Sequence, residues 1–385
     1  MEQEDDRQLR EIILGRIRQR GRITFAEFME ACLYEPGLGY YTSPGRKVGA
    51  EGDFYTSSNV HQVFGRLIAR EVHRMWHCMG EPDRFDLVEV GAGNGRLAAD
   101  LLDTLAGLDR RFYEAITFRL IEAEPTLREQ QQRLLEGHGG KIAWSVPTEL
   151  AEGRLDLAGC LYSNELIDSF PVHLVEMTGG GLREVFVTAD GDRFGEALGT
   201  PSTPELGAYL ERLGIVLMEG QRAEINLAAS SWLRGVARSL RRGFVLTIDY
   251  GYPAAELYAP HRKNGTLLCY YRHTTEENPY IRVGLQDMTS HVDFTTLSAE
   301  GGQLGLSTVW FGEQYRFLLG AGIMEELMAL EARASTEEEK LKQRLVLKKL
   351  MLPDGGMGDT FRVLIQAKGV DNPDLLSRRD WGQDF

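Results

Sequence analysis

Cysteine is scarce in this chain. There are four in 385 residues, and Cys32, Cys78, Cys160 and Cys269 stand far apart with no Cys-x-x-Cys pair. That spacing argues against a disulfide framework or a thiolate metal site and predicts reduced thiols used for packing. The histidines form no His-Glu-x-x-His, so no zinc or other metal site is read from the sequence. Long apolar runs are missing too: none approaches the ~20 residues of a membrane span, and no membrane partner is expected. Positive charge is in deficit, 43 Lys and Arg against 57 Asp and Glu for a net charge of −14. Such a balance argues against binding nucleic-acid phosphates, which needs clustered basic residues. The opening Met-Glu-Gln-Glu-Asp-Asp has neither the basic-then-apolar layout of a secretory signal nor the acid-poor layout of a transit peptide. A cytoplasmic, bacterial setting is the expectation. There is no internal repeat and no low-complexity tract.

What is present centres on residues 85–96, Phe-Asp-Leu-Val-Glu-Val-Gly-Ala-Gly-Asn-Gly-Arg. A buried strand runs into a turn with Gly91, Gly93 and Gly95, and a helix follows with Leu97, Ala98, Leu101, Leu102 and Leu105 on one face. A strand that breaks into glycines and restarts as a helix lets a ligand meet backbone at a helix N-terminus. A dinucleotide fingerprint wants Gly-x-Gly-x-x-Gly; here Arg96 holds the sixth position and the third glycine comes one residue early. With Glu89 two residues ahead, Glu-x-Gly-x-Gly-x-Gly is similar to the first motif of S-adenosylmethionine (SAM)-dependent methyltransferases. From the turn alone, another nucleotide and an ordinary glycine-rich turn stay open.

The first eighty residues read as helices around one long loop: an amphipathic pattern over 5–19, a capping box Thr24-Phe-Ala-Glu27, and a helix from about Val60 to Met79. Strands then alternate with helices: 85–90, 116–122, 141–144, 157–163, 243–249, 307–311 and 360–368 are the seven strands. Period-2 runs and glycine turns over 173–222 predict a small antiparallel insertion. Buried apolar strands joined by helices imply a mostly parallel sheet covered on both faces. The expected fold is therefore α/β: a Rossmann-like seven-stranded core, an N-terminal helical cap and a small β-hairpin insertion. The cap and its active-site loop occupy 1–82, the first core half 83–172, the insertion 173–222, the second core half with substrate-side loops 223–369, and a loose polar tail 370–385.

Candidate site residues fall at predicted strand ends. One carboxylate can accept from two adjacent ribose hydroxyls. Glu122 ends the second strand and is preferred to Glu124, which abuts Pro125. Trp144 ends the third strand, where an indole can cover an adenine or simply pack. Asn164 and Glu165 end the fourth, and Glu165 with Asp168 could hold a cationic acceptor or take up a proton; loop or cap chemistry is the competing reading. Asp249 and Tyr250 end the fifth strand and could cap and pack. In 284–294, Asp287, His291 and Asp293 cluster, and Asp293 is placed to cap the following helix.

Longer stretches carry a resemblance: 28–41 ending in Gly-Tyr-Tyr, Gly-Asp-Phe-Tyr-Thr-Ser (52–57), Phe-Gly-Arg-Leu-Ile-Ala (64–69), Asn-Glu-Leu-Ile-Asp-Ser-Phe-Pro-Val (164–172), Ile-Asp-Tyr-Gly (248–251), Gly-Thr-Leu-Leu-Cys-Tyr-Tyr-Arg-His (265–273) and Thr-Ser-His-Val-Asp-Phe (289–294). With the glycine motif, they make the sequence resemble the MidA-like SAM-dependent methyltransferases, the group that includes the mitochondrial complex I assembly arginine methyltransferase. The resemblance implies SAM as cofactor and a SAM-binding fold. Glu89, Gly91, Gly93, Gly95, Glu122, Trp144 and Asn164 then stand on the cofactor side. Glu165, Asp168 and Asp53 would be catalytic, and Tyr41, Tyr55, His273 and His291 would face the substrate. It also implies a protein acceptor methylated on arginine, a respiratory-complex subunit being one candidate. A non-catalytic SAM-binding assembly factor and a small-molecule methyltransferase are the alternatives; an NAD-dependent oxidoreductase is disfavoured by Arg96. One departure stands out: the family continues Asp-Phe-x-Thr-Ser with Pro-Glu, where this chain has Ser58 and Asn59. Oligomeric state is not readable.

Overall fold

The computed structural model describes residues 6–43, 62–272, 274–351 and 360–379. The chain divides into two compact units. One takes the described residues of Met1–Phe54, Ile167–Ser231 and Gly251–Leu297; the other takes those of Tyr55–Leu166, Trp232–Tyr250 and Ser298–Phe385.

The second unit holds the sheet read from the sequence. Its strands are β1 (Phe85–Val90), β2 (Ile116–Ile121), β3 (Ile142–Ser145), β4 (Leu157–Asn164), β5 (Leu240–Tyr252), β6 (Ser307–Glu313) and β7 (Phe361–Lys368), in the order β6-β7-β5-β4-β1-β2-β3. The first five run parallel, and β7 pairs antiparallel with both β5 and β6. Every residue of β1 is buried, as a strand covered by helices on both faces requires. From β1 the chain builds outward to β3, then returns to lay β4 on the other side of β1. The strand order reverses there, and ligands of open α/β sheets bind outside the carboxyl ends at such a point. The core joins these strands to the helix Gln62–Cys78, whose Val63, Leu67, Ile68, Val72 and Trp76 are buried, and to the helix Arg96–Leu108.

Between β6 and β7 the chain forms three helices, Gln314–Ala321, Ile323–Arg333 and Glu337–Met351. Gly322 at φ 99° ends the first, a left-handed stop that glycine adopts without a Cβ penalty. The described part of the stretch after Gly369, residues 370–379, read as loose because it is polar, is tied down. The buried Glu71 carboxylate accepts the backbone N–H of Leu376 (3.0 Å) and the Ser377 hydroxyl (2.8 Å).

The first unit contains the helices Arg7–Arg20 and Phe25–Tyr34, and the expected capping box is formed: Thr24 Oγ1 accepts from Glu27 N–H while the Glu27 carboxylate accepts from Thr24 N–H. The insertion is an antiparallel sheet of His173–Thr178, Gly181–Asp190, Arg193–Gly199 and Arg222–Ile225, joined by the short strand Ile23–Thr24. Among the substrate-side loops of 223–369 lies a second small sheet of Leu268–Tyr271, Thr274–Glu276 and Asp287–Thr289. These strands are three or four residues long, too short to show a period against their polar neighbours. No helix of the described residues is long and apolar enough to cross a membrane.

Candidate functional site

At the carboxyl end of β1 the three glycines take φ of 73°, 51° and 78°. All are left-handed, where a Cβ is penalised. A Cβ on Gly93 would meet nothing within 4 Å, so the turn presents bare backbone to open space there. A Cβ on Gly91 would lie 2.7 Å from Leu166 Cδ1, so the chain leaving β4 packs directly on the turn. Gly95 is the N-cap of Arg96–Leu108 and supplies no side-chain cap; the Arg96 N–H donates to Asn94 Oδ1 (3.0 Å), and the positive end of the helix dipole lies at this turn.

Glu122 directly follows β2. Its N–H donates to Ser145 O (3.1 Å), which extends the sheet by one residue, and its carboxylate accepts from Glu124 N–H (3.0 Å) and from Gln131 Nε2 (3.3 Å). Burial holds its carboxyl above the ordinary value. Glu124 is otherwise engaged: it caps the helix Pro125–Leu134 through Thr126 N–H. The residue that ties these parts together was not singled out from the sequence. Gln131 is fully buried. Its amide donates to Gly93 O (2.8 Å) and to Glu122, and its carbonyl accepts from Trp144 Nε1 (3.0 Å). One side chain thus links the glycine turn, the β2-end carboxylate and the β3-end indole.

Beneath the turn lies a row of buried polar atoms with no hydrogen-bond partner: Glu89 Oε2, Tyr162 Oη, Ser163 Oγ and Asn164 Oδ1. They sit on adjacent strands, Glu89 in register with Tyr162 and Val90 with Ser163. Burial pushes the Glu89 carboxyl up to about 8, the nearby Tyr162 hydroxyl offsetting part of that rise. Each unsatisfied buried polar atom costs roughly 1–3 kcal/mol. Glu89, Tyr162 and Asn164 fall on one face of the sheet and Ser163 on the other, and unsatisfied polar atoms at a strand-order reversal suit a polar ligand.

Glu165 follows β4 with φ +52°, unusual for a residue with a side chain. Its N–H donates to Ile248 O (2.9 Å), its Oε1 accepts from Asn164 Nδ2 (3.0 Å), and the next N–H, of Leu166, donates to Asp249 Oδ2 (3.2 Å). Asp249 is buried, so the capping reading of that residue holds and its role is to fix this turn. Tyr250 packs on Phe361 with ring centroids 4.0 Å apart.

The first unit gathers other predicted residues. Tyr41 Oη donates to Asp287 Oδ1 (2.7 Å) and its ring stacks on Tyr34 at 5.4 Å. Tyr34, which sequence reading passed over, donates to Ser169 O (3.0 Å), next to the buried Asp168. Burial, with Asp287 and Asp168 nearby, holds the Tyr41 phenol far above its ordinary value, so both tyrosines stay neutral donors. His291 lies against Tyr252 (5.2 Å between centroids), and its backbone N–H donates to Thr266 Oγ1 (2.9 Å). Burial first, and Arg262 second, lower its imidazole to about 4. Asp293 caps the helix Phe294–Gln303 by accepting from Thr295 and Thr296 N–H, as anticipated. Asp53, Tyr55 and His273, with the departure at Ser58 and Asn59, lie outside the described residues.

The chain is similar to known proteins. Residues 67–312 match the family model described as S-adenosyl-L-methionine-dependent methyltransferase. Mouse mitochondrial protein arginine methyltransferase NDUFAF7 is 30% identical over 87% of this chain and 78% of its own length. The Caenorhabditis elegans NDUFAF7 homolog is 27% identical over 92% and 85%. A crystal structure from Burkholderia thailandensis bound to S-adenosyl-homocysteine superposes with a TM-score of 0.86 at 31% identity, over 97% of this chain and 94% of that one.

Proposed function

Since the chain belongs to this family of SAM-dependent methyltransferases, we propose that it methylates a protein, on the guanidinium of arginine. The enzyme class and the cofactor follow from family membership; the acceptor is our inference. The observation that carries it is Glu165, a carboxylate held in a strained left-handed turn beside the glycine loop by Ile248, Asn164 and Asp249. Strain of that kind persists where the surrounding structure enforces it, and it clusters at functional sites. The mitochondrial relatives carry protein arginine methyltransferase in their names, which supports the same acceptor.

The residues at the carboxyl ends of β1 to β4 fit SAM. The open space over Gly93 and the unpartnered atoms of Glu89, Tyr162, Ser163 and Asn164 call for a ligand with polar groups. Glu122 would accept the ribose hydroxyls, Trp144 would cover the adenine, and the N-terminus of Arg96–Leu108 would take the carboxylate. Bound there, SAM supplies an electrophilic methyl group. Glu165 holds N–H groups of the planar guanidinium and receives the proton its nitrogen must lose. The turn fixed by Asp249 keeps that carboxylate oriented, and alignment of this kind is worth several kcal/mol of the barrier.

Incubation with methyl-labelled SAM and a cell lysate, followed by mass spectrometry, tests the reading. Methylarginine on a protein is expected, with Glu165→Gln keeping SAM affinity and losing transfer. Label on a small molecule, or full transfer by Glu165→Gln, rules the proposal out.

A further inference from the structure

On the face of the second unit formed by the helix Gln62–Cys78, His73 and His77 lie one helical turn apart, with their ring centroids 4.5 Å apart. The fold brings Asp109 to the same place: its Oδ2 is 3.1 Å from His73 Nε2. One donor atom from each of the three residues falls within 4.8 Å of the other two. We propose that His73, His77 and Asp109 form a binding site for a divalent transition-metal ion, Zn2+ being the probe of choice.

Donors around one Zn2+, at bond lengths of about 2.0–2.2 Å, stand roughly 3.3 Å apart. The His73–Asp109 pair already meets that spacing, so closing the set takes a rotation of His77, the most exposed of the three, whose Nδ1 lies 3.0 Å from Glu81 Oε1 and would exchange that contact for the ion. The other two are held. His73 packs against both Trp76 (5.9 Å) and Phe112 (5.4 Å). Asp109 accepts the N–H groups of Arg111 and Phe112 through Oδ1, as the N-cap of Arg110–Ala115, which leaves Oδ2 directed at His73. Those bonds, from Phe112 first, keep its carboxyl below the ordinary range, so it is an anionic ligand at neutral pH. Three of the neighbouring arginines have their charge offset by a carboxylate: Arg70 by Glu326, Arg74 by Asp374 and Arg111 by Glu81; Arg379 also lines this cavity. Two imidazoles and one carboxylate suit zinc, nickel or copper rather than magnesium or calcium. The histidines also line a cavity of about 380 Å³, where a water could complete four-coordination. The ion would join the helix Gln62–Cys78 to the start of Arg110–Ala115 and stabilise the folded state by mass action.

Titration calorimetry with ZnCl2 on the full chain without an affinity tag tests this. One ion per chain is expected to bind, with a rise in thermal midpoint at saturating Zn2+. His77→Ala and Asp109→Asn should each weaken binding at least tenfold; Asn keeps the helix cap, so loss there is not loss of fold. Cys78→Ser, next to His77, should bind as the parent does. No binding to the parent, parental affinity in both ligand variants, or loss of binding in Cys78→Ser would each overturn the proposal.

Discussion

The amide of Gln131 donates to the Gly93 carbonyl at 2.8 Å, pinning the middle of the glycine turn to the helix Pro125–Leu134, which follows β2. The same amide steadies Glu122, and its carbonyl receives the Trp144 indole. Gln131→Leu keeps most of the volume and removes all three bonds. With about 1 kcal/mol lost per hydrogen bond and buried partners left bare, affinity for S-adenosylhomocysteine is expected to fall roughly tenfold or more, about 1.4 kcal/mol. Calorimetry checks this. Unchanged affinity would show that Glu122 and Trp144 keep their positions unaided.

The sheet was legible because parallel strands buried on both faces read as continuous apolar runs, and all seven appear close to the expected ranges. Glu122 was legible because it ends such a run. Gln131 was not: it is the middle of Gln130-Gln131-Gln132 in a polar helix, and only the fold turns that one glutamine inward. Tyr34 was hidden for a related reason, since its partner Ser169 is 135 residues away. The grouping of His73, His77 and Asp109 was not legible because a bare His-x-x-x-His is no motif by itself, and Asp109 comes from a separate helix cap.

Gly93 separates backbone strain from ligand exclusion. Gly93→Ala adds a Cβ that touches no protein atom within 4 Å, so its cost to stability is the left-handed penalty of about 1–2 kcal/mol, less about 0.4–1 kcal/mol from the stiffer unfolded chain. Since that space is where the cofactor backbone approach occurs in our reading, SAM binding is expected to fall far more, by a hundredfold or so, about 2.7 kcal/mol. A urea midpoint slightly lowered together with near-lost binding is the expected pair of results. Retained affinity would place the cofactor elsewhere.

Glu165 offers the opposite test, a substitution that harms function without harming the fold. Glycine at φ +52° relieves about 1–2 kcal/mol of strain and gives back about 0.4–1 kcal/mol to unfolded-chain entropy. Glu165→Gly is therefore expected to leave stability unchanged or raise it by up to about 1 kcal/mol, while methyl transfer is lost. Urea denaturation and the labelled-SAM assay report the two halves separately. A drop of more than about 1 kcal/mol would mean that the side chain serves the fold.

Glu89 should leave a signature in the pH dependence of stability. Burial raises its carboxyl from 4.5 to about 8 in the folded chain, with Tyr162 lowering and Glu122 adding to that rise. The folded state therefore holds a proton that the unfolded state releases between those two values. Stability from this group is complete below 4.5 and is lost progressively as pH rises toward 8, with a slope of up to about 1.4 kcal/mol per pH unit. Glu89→Gln imitates the protonated form, so the variant should match the parent near pH 4.5 and exceed it at pH 8. Urea unfolding across that window measures both curves. Parallel curves would mean that Glu89 is ionised in the folded protein, and that its unpartnered oxygen is satisfied by a cation at the site rather than by a proton.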